Sequence, residues 1–100
     1  MRVPLSALLM VLVPLGAAGA EHWSAGQLAG LPDSAFAAIE VALDGRRVRH
    51  LPHHDQTGAV DPVHLRAALA RLGQVRWLDP ASEAAARRHL EEHRRELGWR

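Results

Sequence analysis

The stretch Phe36–Arg49, FAAIEVALDGRRVR, decides the fold. Its centre is Asp44-Gly45, a pair suited to a two-residue hairpin turn that needs positive φ. That turn predicts cross-strand partners Leu43 with Arg46, Val41 with Val48 and Ile39 with His50. Glu40 would then sit opposite Arg49, an attractive pair on the other face. Ile39, Val41, Leu43 and Val48 would share the face turned to the core. A short helix over Ser34 to Leu43 competes, because alanine is common there; the hairpin, spanning 36–51, is the preferred reading.

On its C-terminal side, His50 to Val60 reads as a loop carrying Pro52, Asp55 and Gly58. Asp61-Pro62 then starts a helix, with Asp61 as N-cap and Pro62 at the first helical position. Leu65, Ala68, Leu69 and Leu72 recur at helical spacing, and Gly73 fits a stop, so this helix is predicted over 62–72. Asp79-Pro80 repeats the start signal and predicts a second helix over 80–97, with Gly98 ending it. Ala86, Leu90, His93 and Leu97 mark its apolar stripe. The fold class is therefore α+β: one β-hairpin packed on two α-helices, in a domain over 36–98.

On the N-terminal side, residues 21–35 read as an irregular lead-in with a helical turn near Ser24 to Ala29. Trp23 and Leu28 would anchor it. Residues 1–20 read as a secretory signal peptide. Arg2 gives a positive start, an uncharged apolar run follows, and Ala18-Gly19-Ala20 offers a small-x-small cleavage site. The apolar run is about 13 residues before Pro14, short of the roughly 20 that span a bilayer. The alternative is a retained anchor. The expected location is periplasmic or secreted.

All 12 basic residues are arginine, and Arg2 belongs to the leader, so the remaining 11 face 11 acids. Residues 21–100 are thus formally neutral, and no overall basic surface for polyanions is implied. The arginines of the second helix are interleaved with Glu83, Glu91, Glu92 and Glu96, the pattern of a solvated, self-neutralising face. No nucleic-acid partner is expected. The chain has no cysteine. A small exported domain without disulfides must rely on its core, a metal, a partner or dimerisation.

Three segments carry a resemblance: LPDSAFA at 31–37, RHLPHHD at 49–55 and VDPVHLRAALARLGQ at 60–74. Together they resemble a small domain of uncharacterised bacterial and phage-encoded proteins. In that domain an LPDS-F segment precedes an R-x-(L/F/Y)-P-x-x-D step and an H-(L/A)-R-x-AL-AR helix. The resemblance implies a shared fold over roughly 31–74. It brings no established catalytic residues, so it assigns no role to any residue of this chain.

The chain holds seven histidines, at 22, 50, 53, 54, 64, 89 and 93. His50-x-x-His53-His54-Asp55 packs three imidazoles and a carboxylate into six residues. His89 and His93 lie one helical turn apart on one face, a spacing that can chelate a metal. Imidazole suits Zn²⁺, Cu²⁺ and Ni²⁺. The candidate metal ligands are His53, His54 and Asp55 from the loop with His89 or His93 from the second helix. The alternative is ordinary: His50 and His93 packed on the core, His64 against the loop before its helix, and the loop imidazoles solvated. Asp55 to Asp61 loosely matches a calcium loop, but histidines occupy two principal ligand positions, and a helix-capping turn explains the same residues.

Catalysis finds no motif. Ser24, Ser34, Ser82 and Thr57 sit in no nucleophile pattern, and no HExxH, P-loop or dinucleotide fingerprint is present. The expected function is non-enzymatic: an exported interaction or structural module of the cell envelope, meeting an envelope protein through the hairpin edge or the surface bearing Trp23, Trp77 and Trp99. The alternative is a periplasmic or secreted protein that binds Zn, Cu or Ni through its histidine cluster.

Overall fold

The computed structural model describes residues 22–100; the leader expected at 1–20 lies outside them. Helix α1 (Ala25–Ala29) leads through a 3-10 turn (Asp33–Ala35) into strand β1 (Phe36–Val41). Strand β2 (Arg47–Pro52), helix α2 (Pro62–Arg71), a second 3-10 turn (Leu72–Gln74) and helix α3 (Pro80–Glu96) follow. The architecture is α+β, an antiparallel hairpin with helices packed on it. Among the described residues, no helix is long and apolar enough to cross a membrane.

The helix starts follow from the Asp-Pro pairs. Asp61 Oδ1 accepts from the backbone N–H of Val63 and His64, at 3.0 and 3.1 Å. Asp79 Oδ1 accepts from Ala81 N–H at 2.9 Å. Each aspartate satisfies donors that the helix itself cannot, and each proline occupies a position where no N–H is needed. Gly73 does not terminate α2 as expected; it lies inside the 3-10 turn that continues the helix. Even α1, with only five residues, is capped: Ser24 and Gln27 form a reciprocal capping box.

The hairpin forms in a different register from the one Asp44-Gly45 suggests. Ala42 N–H donates to Arg46 C=O and Gly45 N–H to Ala42 C=O, both at 2.8 Å, with Gly45 at φ +87°. The loop therefore has three residues, a turn closed by a left-handed glycine. One extra loop residue shifts the pairing by one. Val41 faces Arg47, Glu40 faces Val48, Ile39 faces Arg49 and Ala38 faces His50. Val41 is 64% exposed and Leu43 fully exposed, so neither joins the core, while Glu40 is buried. Val48 and His50 share a face with Ala38 and Glu40, not with Ile39 and Val41.

The buried glutamate is fully engaged. Its carboxylate accepts from the N–H groups of Leu78 and Asp79 at 2.9–3.1 Å and from His50 Nε2 at 2.9 Å. It thus clasps the N-terminus of α3, where the helix dipole favours negative charge. Burial opposes its ionisation, but the backbone donors of Leu78 and Asp79, with Ser82 and His50, prevail and lower its pKa to about 2. Arg49, expected opposite Glu40, lies across the Phe36 ring. It donates to the carbonyls of Leu28 and Leu31 at 2.7 and 2.8 Å, tying the lead-in to the sheet. Arg47 pairs with Asp33.

The core joins Leu51 of β2 with Leu65, Ala68 and Leu72 of the α2 region and Ala86 and Leu90 of α3. Leu97, expected on the same stripe, is 44% exposed beyond the end of α3. Leu51 is the one non-glycine residue with positive φ among those described, at +60°. Its side chain stays in the core, and the strand continues past it to Pro52, which pairs with Phe36. His53 and His54 follow the strand directly, and His53 N–H extends the pairing to Ala35 C=O.

Candidate metal centre

The segment after β2 is pinned at both ends. His53 N–H donates to Ala35 C=O, and Asp61 N–H donates to His53 C=O, each at 2.8 Å. His54 and Val60 form an isolated antiparallel bridge. Between them, Asp55 N–H donates to Ala59 C=O and Gly58 N–H to Asp55 C=O, with Gly58 at φ +92°. This is the same three-residue loop found at Leu43–Gly45, closed again by a left-handed glycine. One builds the hairpin tip; the other sets the direction of His54.

Four imidazoles meet where this loop touches α3. His53 and His54 come from the loop, His89 and His93 from the helix, and one ring nitrogen of each lies within 4.8 Å of all the others. His53 Nε2 is 3.1 Å from His89 Nε2, His89 Nε2 is 3.1 Å from His93 Nε2, and His93 Nε2 is 3.2 Å from His54 Nε2. A tetrahedral ion with metal–nitrogen bonds of about 2.0–2.1 Å separates its ligand atoms by roughly 3.3 Å. The group could hold a metal ion.

Three of the other ring nitrogens are committed outward. His53 Nδ1 meets Leu51 C=O at 3.0 Å, His54 Nδ1 meets Gly58 C=O at 2.9 Å, and His93 Nδ1 meets Glu96 Oε1 at 3.0 Å. Carbonyl and carboxylate oxygens only accept, so each Nδ1 must carry the proton. In the neutral ring, each Nε2 is then a bare lone pair. Two neutral rings would therefore face each other at His54 Nε2 and His93 Nε2 as a pair of lone pairs, a contact that a proton or a metal ion relieves. Outer partners of this kind fix tautomer and orientation in metal-ligating histidines.

His53 is fully buried, and burial first, then the neighbouring imidazoles, lowers its pKa to about 4 against the support of Leu51 C=O. His89 is also lowered, by burial and by His93 and His54, with Glu92 and Glu96 opposing. Both effects keep the lone pairs free at neutral pH.

Of the five residues read from the sequence as ligands, four converge, and both helical histidines take part. Asp55 does not. Its Oδ1 accepts from Thr57 N–H, the Thr57 hydroxyl and Ala59 N–H at 2.6–3.2 Å, so it shapes the loop. The Thr57 hydrogen bonds hold its carboxyl below the ordinary range. His50 lies outside the cluster against Glu40 and the Trp77 ring, and His64 is stacked on Trp23 with ring centres 3.4 Å apart. Sequence reasoning missed Glu96, although its i,i+3 spacing from His93 marks it as a partner. Comparison of the chain with protein-family models, curated proteins and solved structures finds no match to any of the three.

Proposed function

We propose that this is a small non-enzymatic metal-binding protein that holds one divalent transition-metal ion on His53, His54, His89 and His93, in the periplasm or outside the cell. The observation that carries this reading is the facing pair His54 Nε2 and His93 Nε2, 3.2 Å apart, each with its Nδ1 proton given to another group. The leader-like residues 1–20 and the lack of cysteine support the location and the need for a staple. An open groove of about 650 Å³ runs along α3, but it is lined mostly by charged side chains and includes only His89 of the four. That arrangement favours binding over turnover. Calorimetric titration with Zn²⁺ and Cu²⁺ tests it: one ion per chain is expected, with binding lost in His53→Ala. Micromolar or weaker binding that His53→Ala leaves unchanged overturns the proposal.

An interaction module of the envelope draws support from the exposed Val41 and Leu43 at the hairpin tip. The tryptophans add little to it, since each has an internal partner. Trp23 stacks on His64, Trp77 Nε1 donates to Leu72 C=O, and Arg66 covers Trp99. Pull-down from envelope extract with Val41→Ser and Leu43→Ser as controls tests this reading; equal capture by both variants overturns it.

A further inference from the structure

The geometry points to a closed, distorted-tetrahedral four-nitrogen site for an ion of the Zn²⁺ and Co²⁺ class, in which the ion is a structural bridge and not a Lewis-acid catalyst. The inference rests on the metal-binding reading above and deepens it. With metal–nitrogen bonds of about 2.0–2.1 Å and rings radiating outward, a tetrahedral array places all six pairs of ring centres about 5 Å apart. A square-planar array, the preference of Cu²⁺ and Ni²⁺, instead needs four pairs at about 4.5 Å and two opposed pairs beyond about 6 Å.

The observed separations are 4.5 Å for His53–His54, 4.6 Å for His89–His93, 5.0 Å for His54–His93, 5.1 Å for His53–His89 and 5.2 Å for His53–His93. His54–His89, at 6.4 Å, is the single long pair. If His54 and His89 were opposed in a plane, His53 and His93 would also have to be opposed. Their separation of 5.2 Å excludes that. The rings surround a point in three dimensions. The backbone explains why: His89 and His93 stand one above the other on α3, while His53 and His54 are neighbours on an extended segment and approach from two directions.

Four protein ligands fill a tetrahedral shell and leave no position for water or substrate, the mark of a structural site. Imidazole alone, without thiolate or thioether, also does not favour Cu(I).

The test is the visible spectrum of the Co²⁺-loaded protein. Four-coordinate cobalt gives intense d–d bands, and six-coordinate cobalt gives weak ones. Intense bands saturating at one equivalent are expected, displaced by Zn²⁺, retained in His22→Ala and weakened in His54→Ala, with circular dichroism confirming that both variants keep their helices. Weak six-coordinate bands whose appearance still depends on His53 overturn the tetrahedral inference and leave the metal-binding reading standing. The absence of any histidine-dependent cobalt binding overturns both.

Discussion

His54 and His93 stand 39 residues apart in the chain and meet Nε2 to Nε2 at 3.2 Å. The contact joins the loop after β2 to the last turns of α3. The energetics of this corner of the fold depend on whether a proton or a metal ion sits between the rings.

Zinc should therefore stabilise the protein. An ion at a free concentration a thousandfold above its dissociation constant adds about 4 kcal/mol. For a domain of this size, that raises Tm by more than about 15 °C. Thermal melts with Zn²⁺ and then with excess chelator measure the effect. The rise should reverse with chelator and vanish in His93→Ala.

Glu96→Ala should weaken metal binding by about tenfold, the lower end for loss of an outer partner, because the Glu96 side chain is 62% exposed and water can replace part of its bond to His93 Nδ1. Glu96→Gln, which keeps an acceptor, should recover part of the affinity. Calorimetry on the two variants checks the order.

The two matching loops provide a controlled comparison. A Cβ at Gly45 or Gly58 meets nothing within 4 Å, so alanine at either place costs only the backbone strain of φ +87° or +92°. Both substitutions should lower stability by about 1–2 kcal/mol. Gly58→Ala should also reduce metal affinity, since the Gly58 carbonyl orients His54; Gly45→Ala should not. Urea unfolding beside a zinc titration separates the two effects.

Glu40 should make stability depend on acid. Unfolded, it titrates near 4.5; folded, near 2. Between those values the unfolded chain binds more protons, so its contribution is complete above pH 4.5 and is lost as pH falls towards 2. Glu40→Gln should cost about 2–3 kcal/mol at pH 7 through loss of charge-assisted hydrogen bonds. The gap between the two proteins should narrow by pH 3 in urea titrations.

Much of this fold was legible locally. Asp61-Pro62 and Asp79-Pro80 marked both long helices, because capping is decided by a few adjacent atoms. The hairpin is legible, but its loop length is not: Asp44-Gly45 suits both a two-residue turn and the end of a three-residue one. The choice lay with Glu40, whose partners Leu78 and Asp79 are 38 and 39 residues away. The histidines were visible as two clusters, and their convergence depended on the segment after β2 packing against α3, a contact 36 to 39 residues apart in the chain that no local preference announces. Asp55 looked like a ligand because it adjoins His54, yet the nearer backbone donors of its own loop claim it.

The four clustered histidines belong to only two short segments, and all of α2 lies between them. His53 and His89 are separated by 36 residues. An ion gripped by both segments would close a ring around α2 in the folded chain only, because the unfolded chain does not assemble the four nitrogens, so unlike a disulfide it would leave the unfolded ensemble unconstrained. A protease cutting within the ring would leave the two pieces joined for as long as the ion stays, and a chelator would release them.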